Sequence, residues 1–423
     1  MGILHELRIS RVPVMGLIAI GLFWGSIAAW LPEIKARAGV IDAQFGALMM
    51  LSAAGGMTAM AVAPRLLARC GPVILPISAA LVALVSLLPA AVGSWAGLAA
   101  MLLATGATMS LCDILANIRI AEAEAQVGRS LQNLNHAMYS LALAASAAVM
   151  GLLRGAGWTH GTAVIPVALL IAACTAVMAT APTPPREIPE HLNAPQIPAP
   201  WLVILPGALI LWLSFLTENG TETWGALHIE RTLGASGGVG AAGPAIFALA
   251  MGLARLAGQA LTRILGEVRL IALSVAMALT GAVLLTLAPG LGLAITGAAA
   301  LGLGVAVVVP TTNTLIARTV PAHQRASAIS RAWLIGFTGF FIGPPLMGLV
   351  SQAGGLRLAF GAIAALIALM LPCLWALSQR LRVSPATARR DQPPRAAADR
   401  LHPARSRPPH HPIPDPAGSP DRQ

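Results

Sequence analysis

WLVILPGALILWLSFLTENGTETWG, Trp201 to Gly225, is the stretch on which the class of this chain turns. From Trp201 to Leu216 it carries no charged side chain, and at 1.5 Å per residue a run of about 20 such residues crosses the roughly 30 Å of hydrocarbon in a bilayer. Glu218 and Glu222 then arrive one helical turn apart, with Thr217, Asn219, Thr221 and Thr223 around them. The rest of the chain has the same texture. Of its 423 residues, 57% are hydrophobic and only 10% charged, and the mean hydropathy is +0.76. Soluble domains are about a quarter charged, so this is the composition of a membrane protein. Its 42 glycines and 32 prolines agree, because both are common in membrane helices.

Outward from that stretch, charged and Gly/Pro-rich breaks cut the chain into apolar runs near 12–31, 43–64, 73–92, 96–118, 131–153, 161–181, 201–223, 240–262, 268–288, 291–316, 327–350 and 357–378. They are unbroken and do not alternate, which predicts an all-α membrane protein of twelve transmembrane helices and excludes a barrel. The first run leads into LPEIKARAG rather than a small-residue cleavage site, so it is expected to be a retained helix. Residues 1–181 are expected to form an N-terminal six-helix bundle and 201–378 a C-terminal one. A Pro-rich cytoplasmic linker, 182–200, joins them, and 379–423 reads as a disordered, basic Pro/Arg-rich tail able to meet anionic lipid.

Arginine sets the orientation. With the N-terminus inside, the cytoplasmic segments hold Arg8, Arg11, Arg65, Arg69, Arg119, Arg129, Arg186, Arg263, Arg269, Arg318 and Arg325; the outer loops hold Lys35, Arg37, Arg154, Arg231 and Arg357. The bias places both termini in the cytoplasm. It also explains the net charge of +11 without nucleic acid. Cys70, Cys112, Cys174 and Cys373 lie too far apart to suggest a disulfide framework or a metal site. No phosphate-binding loop is present, so neither a cofactor nor ATP drive is expected, and no nucleophile–base cluster points to an enzyme. A shift of roughly 194 positions lays Trp30 on Trp224 and Arg69 on Arg263; one of roughly 196 lays Gly106 on Gly302 and Asn117 on Asn313. The halves therefore read as parallel repeats.

With GLFWGSIAAWLPEIKARAGV in the first run, CDILANIRIAEAEAQVGRSLQNLNHAMYSLAL across the fourth and fifth, TENGTETW in the seventh, MGLARLAGQALTRILGEVRL in the eighth and GFTGFFIGPPLMG in the eleventh, the chain resembles the major facilitator superfamily, and within it a YbjJ-like bacterial branch. It departs from the family pattern at Ala68 and Gln259, where an acid is usual. The resemblance implies a monomeric secondary transporter in the bacterial inner membrane, whose halves rock about a central cavity. The implied drive is a proton or substrate gradient, and the implied cargo a small solute, sugar-like or an organic acid. Efflux of amphipathic compounds and a non-transporting sensor with the same fold are the competing readings.

An ionised group inside a membrane helix faces a cavity or a partner, which makes each one a candidate. Glu218, expected in the outer third, and Glu222, expected near the outer interface, share a face; neighbouring carboxylates oppose each other's ionisation, as proton coupling requires. Asp113 and His136 complete the proton-coupling set, placed at similar depth for a direct contact. Trp24, Asn117, Glu218, Asn219 and Asn313 are the expected substrate contacts. Arg69, Arg255 and Arg331, with the helix-shaping Pro310 and Pro344, are the expected gating residues. Trp30 and Trp224 read as members of an interfacial aromatic belt, and Trp212 as a stacking surface.

Overall fold

The computed structural model describes residues 3–180 and 199–383. Most of the expected linker and tail, and the side chain of Gln259, lie outside the described residues. Every described segment of regular structure is helical. Ten stretches are long and apolar enough to cross a bilayer, and two of them, Asp42–Ala91 and Ser327–Leu381, at 50 and 55 residues, double back, which gives twelve passages among the described residues. The chain is a multi-pass membrane protein.

In the first half, span one is Arg11–Ala38, span two Asp42–Cys70, span three Ile74–Val85, span four Trp95–Val127, span five Gln132–Gly155 and span six His160–Ala179. In the second, span seven is Trp201–Leu233, span eight Ala242–Leu265, span nine Glu267–Leu287, and span ten Leu291–Val305 continued by Val308–Thr319. Span eleven is Arg325–Gly336 continued by the first part of Thr338–Ala368; span twelve is the remainder of that helix and Met370–Val383. The last helix thus runs past the expected boundary at 378. The doubling back occurs at Gly71 (φ 63°) and Gly355 (φ 79°), left-handed positions that glycine adopts without a Cβ clash.

Without a hydrophobic drive between helices in lipid, small residues that let backbones approach hold a membrane bundle together. A Cβ on Gly106 would strike the Ser52 carbonyl oxygen, where span four crosses span two; one on Gly302 would strike the Phe247 carbonyl oxygen, where span ten crosses span eight. The sequence repeat pairs these residues, and they make the same crossing in each half. Trp30 and Trp224 are also equivalent, but both are fully buried, Trp30 beside His160 and Trp224 against Phe45. They are not the aromatic belt. The exposed tryptophans at span ends are Trp95, Trp158, Trp201 and Trp375.

Spans seven and four outrun their expected ends at 223 and 118, reaching Leu233 and Val127. Ten further residues carry span seven about 15 Å past TENGTET. Glu218 and Glu222 are therefore mid-helix, not at an outer interface: their polar neighbours turn toward protein, so polarity there does not end the helix.

An even number of passages in each half puts the described ends at 3, 180, 199 and 383 at one end of the bundle, the near end. The halves pack against each other along spans two and eleven and along spans five and eight. At the far end the backbones nearly touch: a Cβ on Gly348 would meet the Asp42 carbonyl, and one on Gly151 would meet Ala241.

Candidate functional site

Between the halves lies a cavity of about 450 Å³. Trp24, Asp113, His136, Glu218, Asn219, Arg255, Pro310, Asn313 and Pro344 line it, so most of the candidates converge from spans one, four, five, seven, eight, ten and eleven. The lining extends to near-end residues such as Gln132, Asn133 and Ile329. Trp212 is not part of it.

Glu218 and Arg255 form one ion pair, with Oε1 3.1 Å from Nη2 and both side chains about nine-tenths buried. Arg255 does not reach Asp113. Its other amino group donates to the Ser140 hydroxyl at 2.7 Å and to the His136 carbonyl at 3.4 Å, both on span five. One guanidinium thus ties two spans of the second half to the first half. Ser140 was not among the candidates; nothing but its place one turn from His136 marks it.

Asp113 and His136 are not in direct contact. Asn117, one turn beyond Asp113 and outside the cavity lining, stands between them. Its amide donates to the Asp113 carbonyl at 2.9 Å and to Asp113 Oδ1 at 3.1 Å. Its Oδ1 accepts from Gln132 Nε2 at 2.7 Å and lies 3.3 Å from His136 Nε2, which is itself 2.9 Å from Gln132 Nε2. The i, i+4 geometry of span four makes this possible, because Asp113 and Asn117 share a face. Asp113 has no cationic partner within 4 Å among the described residues, so its carboxylate is held in place but not neutralised.

Glu222 lies outside the main cavity. It borders a smaller void of about 30 Å³, with Phe23, Trp24 and Met49 of the first half, and its Oε1 is buried with no hydrogen-bond partner. Asn219 is bound into the framework. Pro344 has no N–H, which frees the Phe340 carbonyl one turn earlier, and the Asn219 amide donates to that oxygen. Its own carbonyl accepts from Thr223. Pro310 follows the break between Val305 and Val308 in span ten. Asn313 accepts the Trp333 indole N–H at 3.0 Å.

Of the remaining gating candidates, Arg331 stays within its own half, donating to the Ala199 carbonyl and lying over the Trp201 ring. Arg69 is exposed at the near end with no ion-pair partner among the described residues. The ion pairs that join the halves among the described residues are instead at the far end. Asp42 Oδ1 meets Lys35 at 2.8 Å and, across the interface, Arg231 at 2.7 Å, while Oδ2 accepts from Ser351 at 2.7 Å. Arg154 reaches Glu230 and the Gly237 carbonyl from the first half. The cavity is therefore bolted at the far end.

One wall of the cavity is aromatic. Phe215 of span seven and Trp333, Phe337, Phe340 and Phe341 of span eleven all face it. Phe337 and Phe340 stack with centroids 5.9 Å apart and planes 7° apart. Their spacing along span eleven, a helical stripe that ends at Pro344, is the signal that marks this wall in the sequence.

A family model described as Major Facilitator Superfamily matches residues 14–297 and 207–409. An uncharacterized MFS-type transporter of Yersinia pestis is 28% identical over 350 residues, covering 81% of this chain and 89% of that protein. Among solved structures, a point mutant of the nucleoside transporter NupG aligns with a TM-score of 0.68 at 13% identity, over 88% of this chain and 99% of that one. A D-xylose-proton symporter aligns with a TM-score of 0.68 at 16% identity, over 89% and 97%.

Proposed function

The chain belongs to the major facilitator superfamily, and on that footing we propose that it is a proton-linked secondary transporter moving a small ring-bearing solute across the bacterial inner membrane by alternating access. The near end is cytoplasmic, by the arginine bias, and the state described is then closed to the outside. The signatures of spans seven and eight support the narrower YbjJ-like branch.

One observation carries the reading: Arg255 grips span five of one half while its carboxylate partner, Glu218, sits on span seven of the other, inside the cavity. Protonating Glu218 removes the charge that holds Arg255 in place and so loosens a contact between the halves. Asp113 with its Asn117–Gln132–His136 chain supplies a second ionisable centre. Trp24, Asn219 and Asn313 border the path of the solute. The organic-acid reading loses ground, because the arginine in the cavity is already matched by Glu218. The aromatic wall favours cargo with an apolar face, hence the efflux of amphipathic compounds as the second reading.

Solute flux in proteoliposomes under an imposed pH gradient tests this. Flux should follow the gradient and become independent of it in Glu218→Gln. Gradient-driven accumulation that persists unchanged in both Glu218→Gln and Asp113→Asn ends the proton assignment and leaves transport standing.

A further inference from the structure

We propose that the cavity's cargo is an organic cation, an ammonium group borne on a flat or aromatic ring, with the charge seated on Asp113 and the ring on the span-eleven wall. The proposal rests on reading this cavity as the transport site.

Charge decides the sign. Among the described residues Arg255 is the one arginine or lysine in the lining, and it is paired with Glu218 at 3.1 Å. Asp113 lines the same space, receives one hydrogen bond at its carboxylate, from Asn117, and has no cation within 4 Å among the described residues. The cavity thus holds an uncompensated carboxylate, and an anionic cargo would find only a spent guanidinium. An unpaired charge inside a membrane bundle calls for a partner, and the partner missing here is a cation. Shape decides the rest. Trp333, Phe337 and Phe340 are arrayed as a stacked series, and the Trp333 ring is fixed by its bond to Asn313. Such faces attract both flat apolar rings and cations, the latter through the negative face of the ring. A neutral sugar needs several hydrogen-bonding groups, and of the amides in the lining Asn219 donates to Phe340, the Asn313 oxygen accepts from Trp333 and Gln132 donates to Asn117, which leaves Asn133 as the lining amide without a partner among the described residues.

Binding to the purified full chain, measured without a gradient, separates this inference from the transport reading. The probes form an isosteric set: phenethylamine, phenethyl alcohol and phenylpropionate, read by calorimetry and by quenching of tryptophan fluorescence at neutral pH. The amine should bind about tenfold or more tightly than the alcohol, as expected for one ion pair in a partly desolvated site, and the acid more weakly than both. Asp113→Asn should erase the preference for the amine while leaving the affinity for the alcohol within about twofold, and Trp333→Ala should weaken amine and alcohol alike. The unliganded melting curve shows whether each variant is folded, and Asp113→Glu, which keeps the charge, should retain the preference. An alcohol or acid that binds as well as the amine, an amine preference that survives Asp113→Asn in a folded protein, or failure of the whole set to bind overturns the proposal. Amine binding without flux in vesicles upholds the site and sinks the transport reading instead.

Discussion

Removing the cross-interface half of the far-end bolt, by Arg231→Gln with Ser351→Ala, should release the far end without unfolding the protein. The choice of residues matters. Asp42→Asn would also strand Lys35, whose side chain is only 4% exposed, whereas the double variant leaves the 2.8 Å Lys35–Asp42 pair intact inside the first half. Arg231 is 45% exposed, so solvent screens its contact with Asp42, worth about 0.5 kcal/mol. The Ser351 hydroxyl, buried and bound to a charged acceptor at 2.7 Å, contributes about 1.5–2.5 kcal/mol. Together they hold the far end by roughly 2–3 kcal/mol, which is a change of about 30- to 140-fold in the closed-to-open ratio. Met49 lines the cavity, so a Met49→Cys reporter in a background without native cysteines reads that ratio. Its labelling by a membrane-impermeant maleimide applied at the far face should accelerate by that factor, up to the limit set by the remaining Arg154–Glu230 pair. A rate within twofold of the parent, in a variant with an unchanged melting curve, would refute the assignment of this cluster as the bolt.

The same reporter should respond in the same direction to Gly348→Ala, whose methyl would meet the Asp42 carbonyl and prop the far end open with every ion pair still present. Gly106→Ala should instead lower the thermal midpoint, by overpacking that costs about 1–3 kcal/mol, and leave the labelling ratio unchanged, because its clash with Ser52 lies within one half. Asn219→Ala leaves the Phe340 carbonyl unpaired and should cost about 1–3 kcal/mol in melting experiments; Asn219→Asp, of the same shape but without the amide donor, should not restore it.

The apolar runs made the twelve passages legible, and the doubled pattern of Gly106 and Gly302 was legible too, because close helix crossings demand glycine whatever surrounds them. Depth was harder. A polar cluster such as TENGTET looks the same at a helix end and against a protein cavity, so the apolar run alone ends span seven ten residues short and puts Glu222 at the rim. The bolt was illegible for another reason: Asp42 and Arg231 are 189 positions apart and each resembles an ordinary loop charge. Asp113, Asn117 and His136 are legible from helical spacing and depth, but the order of their contacts depends on Gln132, which a polar helix start conceals.

The amide of Asn219 borders the solute's space and also closes the gap that Pro344 leaves in span eleven. Cargo that drew this amide toward itself would bare the Phe340 oxygen and leave that turn of span eleven unpaired just below the far-end seal. Occupancy and shape therefore share a single donor, and a vacant chamber and a filled one cannot hold that helix with equal stiffness.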